Sequence, residues 1–183
     1  PGACIVMKPR VSTEEFTPGV SAGGPLETGI AEFAAAAVRA RAVDPVITEC
    51  VRLRCAQYHD CRICGSLRVQ EALDAGFDET MYRAIADHEN SDFRPAIKAA
   101  LRLCDAMIMH PGRIEPELSS ELHEHFSDAE IVEICVDVMK WSQQKALVAL
   151  RIEPPASEAH LTQLIFGADG HPVFGEPLPA QGA

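Results

Sequence analysis

DPVITECVRLRCAQYHDCRICGSLRVQEALDAG, residues 44–76, holds the chain's densest run of reactive side chains and the clearest signals of its secondary structure. Asp44 followed by Pro45 is an N-cap with proline at the first helical position, where a missing N–H costs nothing. From there VITECVRLRCAQYH is apolar or long-stemmed at most positions, which predicts a helix. Asp60 reads as the cap of another helix, running from Cys61 through Ala75, and Gly76 fits the left-handed residue that closes it. Two helices separated by one capping residue point to helical packing rather than a sheet.

Outward from this stretch the helical period continues. Ile30, Phe33, Ala34, Ala37 and Val38 form one stripe, with Thr28 as the expected N-cap. Asp78 opens a short helix to about His88. Phe93 to Met109 carries Ile97, Ala100, Leu101, Cys104 and Ile108 on one face, and Pro111-Gly112 stops it. A further segment runs from near Glu117 to near Phe126. Ser127-Asp128-Ala129-Glu130 is a capping box, in which the serine hydroxyl and the glutamate carboxylate satisfy each other's backbone N–H. The helix it starts, to about Leu150, has Ile131, Val132, Ile134, Cys135, Val136, Val138, Met139 and Trp141 nearly all round and is expected at the centre. Pro154-Pro155 ends it, and Ser157 to Phe166 reads as a last helix. With no glycine-rich phosphate loop and no convincing alternating strand, the expected fold class is all-α, a compact helical bundle. Residues 1–26, dense in Gly and Pro, read as an extended N-terminal arm in which Cys4 to Met7 could pair with another segment. Residues 27–166 form the helical domain, and 167–183 a second Gly/Pro-rich arm.

The 183 residues fit one domain, and 47% hydrophobic with 23% charged side chains is enough to build a core. Sixteen basic against 27 acidic residues give a net charge of −11, which repels phosphate backbones and anionic membranes. Neither nucleic acid nor membrane is expected as a partner. The start, PGACIVMKPRVSTEEF, is too briefly apolar for a leader or anchor. Seven cysteines, an odd number lying mostly inside helical patterns, point to a reducing compartment and so to the cytoplasm.

Cys61-Arg62-Ile63-Cys64 is a CxxC at an expected helix start. Two cysteines three apart on a first turn can close a small disulfide, while free N–H groups there, with Arg62 and Arg68, favour a thiolate. By this local argument Cys61, nearer the start, has the lower pKa. Zinc is a second reading, from Cys55, His59, Cys61 and Cys64, but it is disfavoured because Cys55 lies within a predicted helix. No metal and no cofactor are expected. Glu49 on a largely apolar helix is a candidate functional carboxylate, the alternative being a surface residue paired with Arg52. Cys50, Cys55, Cys104 and Cys135 read as packed thiols, His88, His110, His123 and His125 as structural, and Met139 and Trp141 as core.

Glu49, eleven residues, then Cys61-x-x-Cys64, followed by Gly76 and by HFSDAEIVEICVDV, resembles the carboxymuconolactone decarboxylase and alkylhydroperoxidase D-like (AhpD-like) family over about residues 30–152. The resemblance implies an all-α bundle that assembles as a homo-oligomer, a trimer or hexamer or else a dimer. It also implies a thiol-dependent peroxidase that takes a small hydroperoxide and is restored by a dithiol, a lipoyl group or a thioredoxin-like protein. Residue by residue, it makes Cys61 and Cys64 the redox pair and Glu49 the carboxylate that assists proton transfer. It favours Cys64 as the sulfur that meets peroxide, with Cys61 as the exposed partner; the local argument favours Cys61 as the thiolate, and the order stays open. The family's CxxCxxxH pattern is broken here, since Arg68 stands at the histidine position and cannot exchange protons at neutral pH. Ile63 replaces a second histidine found in some members. His59 is the substitute relay, and Arg68 could instead hold a thiolate by charge. The alternatives are a decarboxylase-like lyase acting without redox thiols and a non-peroxidase member whose CxxC is residual or a sensor.

Overall fold

The computed structural model describes residues 8–11 and 25–179. Its helices are α1 (Pro25–Ala37), α2 (Pro45–His59), α3 (Arg62–Gly65), α4 (Gln70–Asp74), α5 (Glu79–Ile85), α6 (Pro95–Met109), α7 (Pro116–His125), α8 (Asp128–Ser142) and α9 (Lys145–Leu150). Three short strands join them: β1 (Leu67–Val69), β2 (Thr162–Phe166) and β3 (Pro172–Pro177). The fold is mostly helical, as the periodicity predicts, with one small sheet that it did not predict. Among the described residues no helix is long and apolar enough to cross a membrane.

The core lies where α2 packs between α6 and α8. Cys50, Val51 and Leu53 of α2 meet Leu101, Leu103 and Cys104 of α6 and Ile134 and Val138 of α8, all buried. Predicted caps hold at several ends. The Asp44 carboxylate accepts from the N–H groups of Val46 and Ile47, and that of Asp78 from Met81. Both bonds of the Ser127–Glu130 capping box are present. Gly76, with φ of 101°, closes α4 in the left-handed region, and the next N–H, of Phe77, reaches back to the Ala72 carbonyl.

Other expectations are corrected. The helix expected from Cys61 to Ala75 is broken by β1, which pairs in parallel with β2 in the register Leu67↔Thr162, Arg68↔Gln163 and Val69↔Leu164. Asp60 does not cap α3; it ends α2 in the left-handed region with φ of 53°, and Cys61 is the N-cap. The expected last helix is instead β2, whose alternation buries Thr162 and Leu164, and the following Gly/Pro-rich stretch supplies β3, antiparallel to β2. Thr28 lies inside α1, and Ile30 and Phe33 face outward while Ala35 and Ala37 are buried. The segment expected as one helix to Leu150 is interrupted after Ser142, and α8 is not buried all round: Val132 and Met139 are more than half exposed. The Cys4 to Met7 piece lies outside the described residues. Within the N-terminal arm, Arg10 is tied to the end of α9 through the carbonyls of Leu150 and Ala149.

The β2–β3 turn docks on α1 at one point that tolerates no side chain. Gly170 has φ of 82°, and a Cβ there would stand 2.1 Å from the Ala35 carbonyl oxygen. Gly170→Ala is therefore expected to cost about 2–4 kcal/mol, left-handed strain and backbone overlap together, measured by urea unfolding. An unchanged midpoint would show that the turn does not rest on α1.

Candidate functional site

Helix α2 carries Glu49 and Arg52 one turn apart, each only 1% exposed. The carboxylate takes a two-pronged contact from Arg52, with Nε donating to Oε2 at 2.6 Å and Nη2 to Oε1 at 2.7 Å. The Val69 N–H adds a third bond to Oε1 at 3.2 Å. Arg52 then reaches across the next turn, donating through Nη1 to the Cys64 carbonyl at 2.8 Å and through Nη2 to the Leu67 carbonyl at 2.7 Å. The surface pairing of Glu49 is thereby corrected: Arg52 is its partner, but both lie in the interior, where neither charge is stable alone.

Cys61 and Cys64 are joined in a disulfide with Cα atoms 5.3 Å apart. As the cap of α3, Cys61 accepts the Cys64 N–H at its sulfur at 3.4 Å. Cys61 is buried and Cys64 partly exposed, so the expectation that Cys61 is the exposed member is reversed. The turn is clamped from the far end of the chain. Buried Glu153 accepts from the Arg62 N–H and from its guanidinium at 3.0 Å, while the Ser66 hydroxyl accepts from the Ala156 N–H at 2.9 Å. The Ser66 carbonyl accepts from the Thr162 N–H where β2 begins.

Arg68 does not face the sulfurs in this network. Its donors go to Glu79 at 2.6 and 3.0 Å and to the Gly65 and Leu67 carbonyls, and it lies 4.2 Å from the centroid of the Tyr82 ring. Its hydrogen bonds fix β1 against α5. His59 ends α2 with Nε2 buried and unpartnered among the described residues. Burial, helped by the Lys145 charge, pushes it down to about 4, so the ring is neutral at pH 7 and a weak base.

The other four cysteines among the described residues are free thiols away from the pair. Burial, with Glu49 nearby, pushes the Cys50 thiol up to about 12, and burial raises Cys135. Cys55 and Cys104 lie with sulfurs 3.6 Å apart in the core, and their mutual contact, with burial, holds Cys104 well above the usual thiol range. Cys55 thus points to α6 and not toward the CxxC. Sequence reasoning missed Glu153, which looked like the last residue before a Pro-Pro stop, and undervalued Arg52. The only available signal was that each adds a charge to an apolar segment.

No family model matches the chain. The uncharacterised proteins MT2376 and Rv2313c of two Mycobacterium tuberculosis strains are 42% identical over 146 residues, 78% of this chain and 51% of each relative. The chain spans about half the length of these curated relatives. Among solved structures, an Agrobacterium tumefaciens protein of unknown function, named as a candidate AhpD antioxidant defence protein, superposes with a TM-score of 0.62 at 18% identity, over 82% of this chain and 100% of that one. The fold is AhpD-like. The debrominase Bmp8 shares this AhpD-like fold at a TM-score of 0.60 and 16% identity, over 73% of each chain. A cysteine-to-alanine variant of Bmp8 bound to 2,3,4-tribromopyrrole matches as well, at 0.60 and 15%, again over 73% of each. The AhpD-like fold thus includes proteins named for enzymatic activity.

Two outcomes follow from the buried ionisable groups. Glu49→Gln and Arg52→Met each strand one charge in the interior and are expected to lower stability by about 3–5 kcal/mol in urea unfolding, while the double variant loses less than the sum. His59, lowered when folded, makes the unfolded chain the better proton acceptor between its ordinary value near 6.5 and about 4. Stability should therefore fall as the pH drops through that window, by at most about 1–2 kcal/mol after solvent screening, and His59→Gln should flatten that part of a Tm profile.

Proposed function

We propose that this chain is a thiol-dependent oxidoreductase that reduces hydroperoxides at the Cys61–Cys64 pair. The observation that carries the reading is the disulfide at the start of α3, on an AhpD-like fold, backed by the buried Glu49–Arg52 pair. In the reduced enzyme, the thiolate of Cys64, the more exposed sulfur, attacks the terminal oxygen of the hydroperoxide. The O–O bond breaks, the alcohol leaves with a proton, and Cys64 becomes a sulfenic acid. The Cys61 sulfur displaces water from it and closes the disulfide.

Reduction comes from an external dithiol, a lipoyl group or a thioredoxin-like protein. With Cys61 buried, that reductant also meets Cys64, and the thiolate released first is Cys61, which the Cys64 N–H at the head of α3 stabilises. Glu49 has two oxygens and three bonds to Arg52 and Val69, leaving acceptor capacity on Oε2 for proton transfer. His59 is too weak a base to relay protons efficiently at neutral pH, and Arg68 serves the scaffold.

The test is cumene hydroperoxide added to the reduced protein, with intact mass reporting the disulfide. The parent is expected to lose two hydrogens rapidly, Cys64→Ser to be inert, and Cys61→Ser to stop at a sulfenic acid that dimedone traps. Equal peroxide consumption by all three proteins would sink the reading.

A further inference from the structure

A cavity of about 110 Å³ lies between α1, α2 and α8, with Glu49 and Arg52 in its floor and neither cysteine in its lining. Val38, Val43, Val69, Trp141 and Phe166 make its walls largely apolar. Asp137 breaks this pattern. It lines the cavity at 3% exposure, and its carboxylate has no hydrogen bond or ion pair with any described residue. A buried carboxyl left in this state is costly, and native proteins answer such groups with a partner.

The nearest charge does not serve as that partner. Lys140, also buried, places Nζ 2.9 Å from the Trp141 ring centroid and 5.1 Å from that of Phe166, a cation against two aromatic faces. At the rim Arg41 pairs with Glu71. Glu49 answers Arg52, and burial opposes the charge on both Asp137 and Lys140, so the interior favours neither an anion nor a cation. Arg52 has already committed four of its five N–H groups, to Glu49, Cys64 and Leu67. Two demands are left unmet: a donor for Asp137, and an acceptor for the buried Trp141 Nε1–H, which has no partner among the described residues.

We propose that this cavity binds a small uncharged molecule with a compact apolar body and one O–H or N–H group, which donates to Asp137 while the body packs against Trp141 and Phe166. Burial pushes the Asp137 carboxyl up to about 7 against the pull of Lys140, so near neutrality it can also donate, and a hydroxyl, which both gives and accepts, suits it best. The proposal does not depend on the cysteine chemistry, since no cysteine lines the cavity, though the two share Glu49 in its floor.

Trp141 is the chain's single tryptophan, so its fluorescence reports on this wall directly. Phenol is the probe, toluene the same shape without the donor, and benzoate the anion, with excitation at the red edge where none of them absorbs. A saturable change with phenol is expected, at least tenfold tighter than with toluene or benzoate, and Asp137→Ala should bring phenol down to the toluene level. No saturable change, equal binding of phenol and toluene, or tightest binding of benzoate would overturn it. If Asp137→Ala does not fold, the ranking of the three probes on the parent protein decides. The Cys61→Ser/Cys64→Ser protein, inert to peroxide, is expected to bind phenol unchanged; loss of binding there would place the ligand at the cysteines and overturn the assignment.

Discussion

Arg52 brings a full positive charge into the interior, and the local structure around the cysteines is arranged to answer it. Glu49 neutralises the charge from the same helix face, and the carbonyls of Cys64 and Leu67 take the remaining directed bonds. A guanidinium suits this place because its planar fork meets a carboxylate on one edge and separate carbonyls on the other; a lysine would offer a point charge and lose the geometry. The result couples three segments: the middle of α2, the end of the cysteine turn, and β1.

That coupling also explains what could be read from the sequence and what could not. The helices α2, α6, α7 and the first part of α8 follow from apolar period and from caps a few residues long, and these signals are local. The Ser127–Glu130 box and Gly76 act within one turn, so they survive the passage from sequence to structure. The break at Leu67–Val69 has no local cause. Those residues fit a helix as well as a strand, and they become a strand because Thr162–Leu164 pair with them and because Arg52 and Arg68 hold the Leu67 carbonyl. Residues 157–166, expected as a last helix, supply β2 instead for the same reason, since its partners β1 and β3 lie outside the segment.

The cysteine pair and Glu49 were legible as residues of interest because CxxC spacing and a carboxylate among apolar neighbours are each conspicuous. Their surroundings were less so. The sequence reading kept Arg68 near the sulfurs, since four positions beyond Cys64 on a helix would place it there; once β1 replaces that helix, its guanidinium turns toward Glu79 and Tyr82. Asp137 was passed over, since one acidic residue on a helix normally marks its wet side. Here α8 reverses that arrangement, exposing Val132 and Met139 and burying Glu133, Asp137 and Lys140. Glu133 meets the N–H groups of Ala42 and Val43, closing the loop before α2.

The clamp on the cysteine turn has a temporal side as well. Ser66 is held by Ala156, ninety positions later, and Arg62 by Glu153, ninety-one later. A ribosome releases the two thiols well before the segment that encloses them, so the nascent chain presents an accessible CxxC until residues 153–162 have emerged and paired. During synthesis, then, the two thiols exist without their enclosure, which the sheet supplies only when β2 pairs with β1.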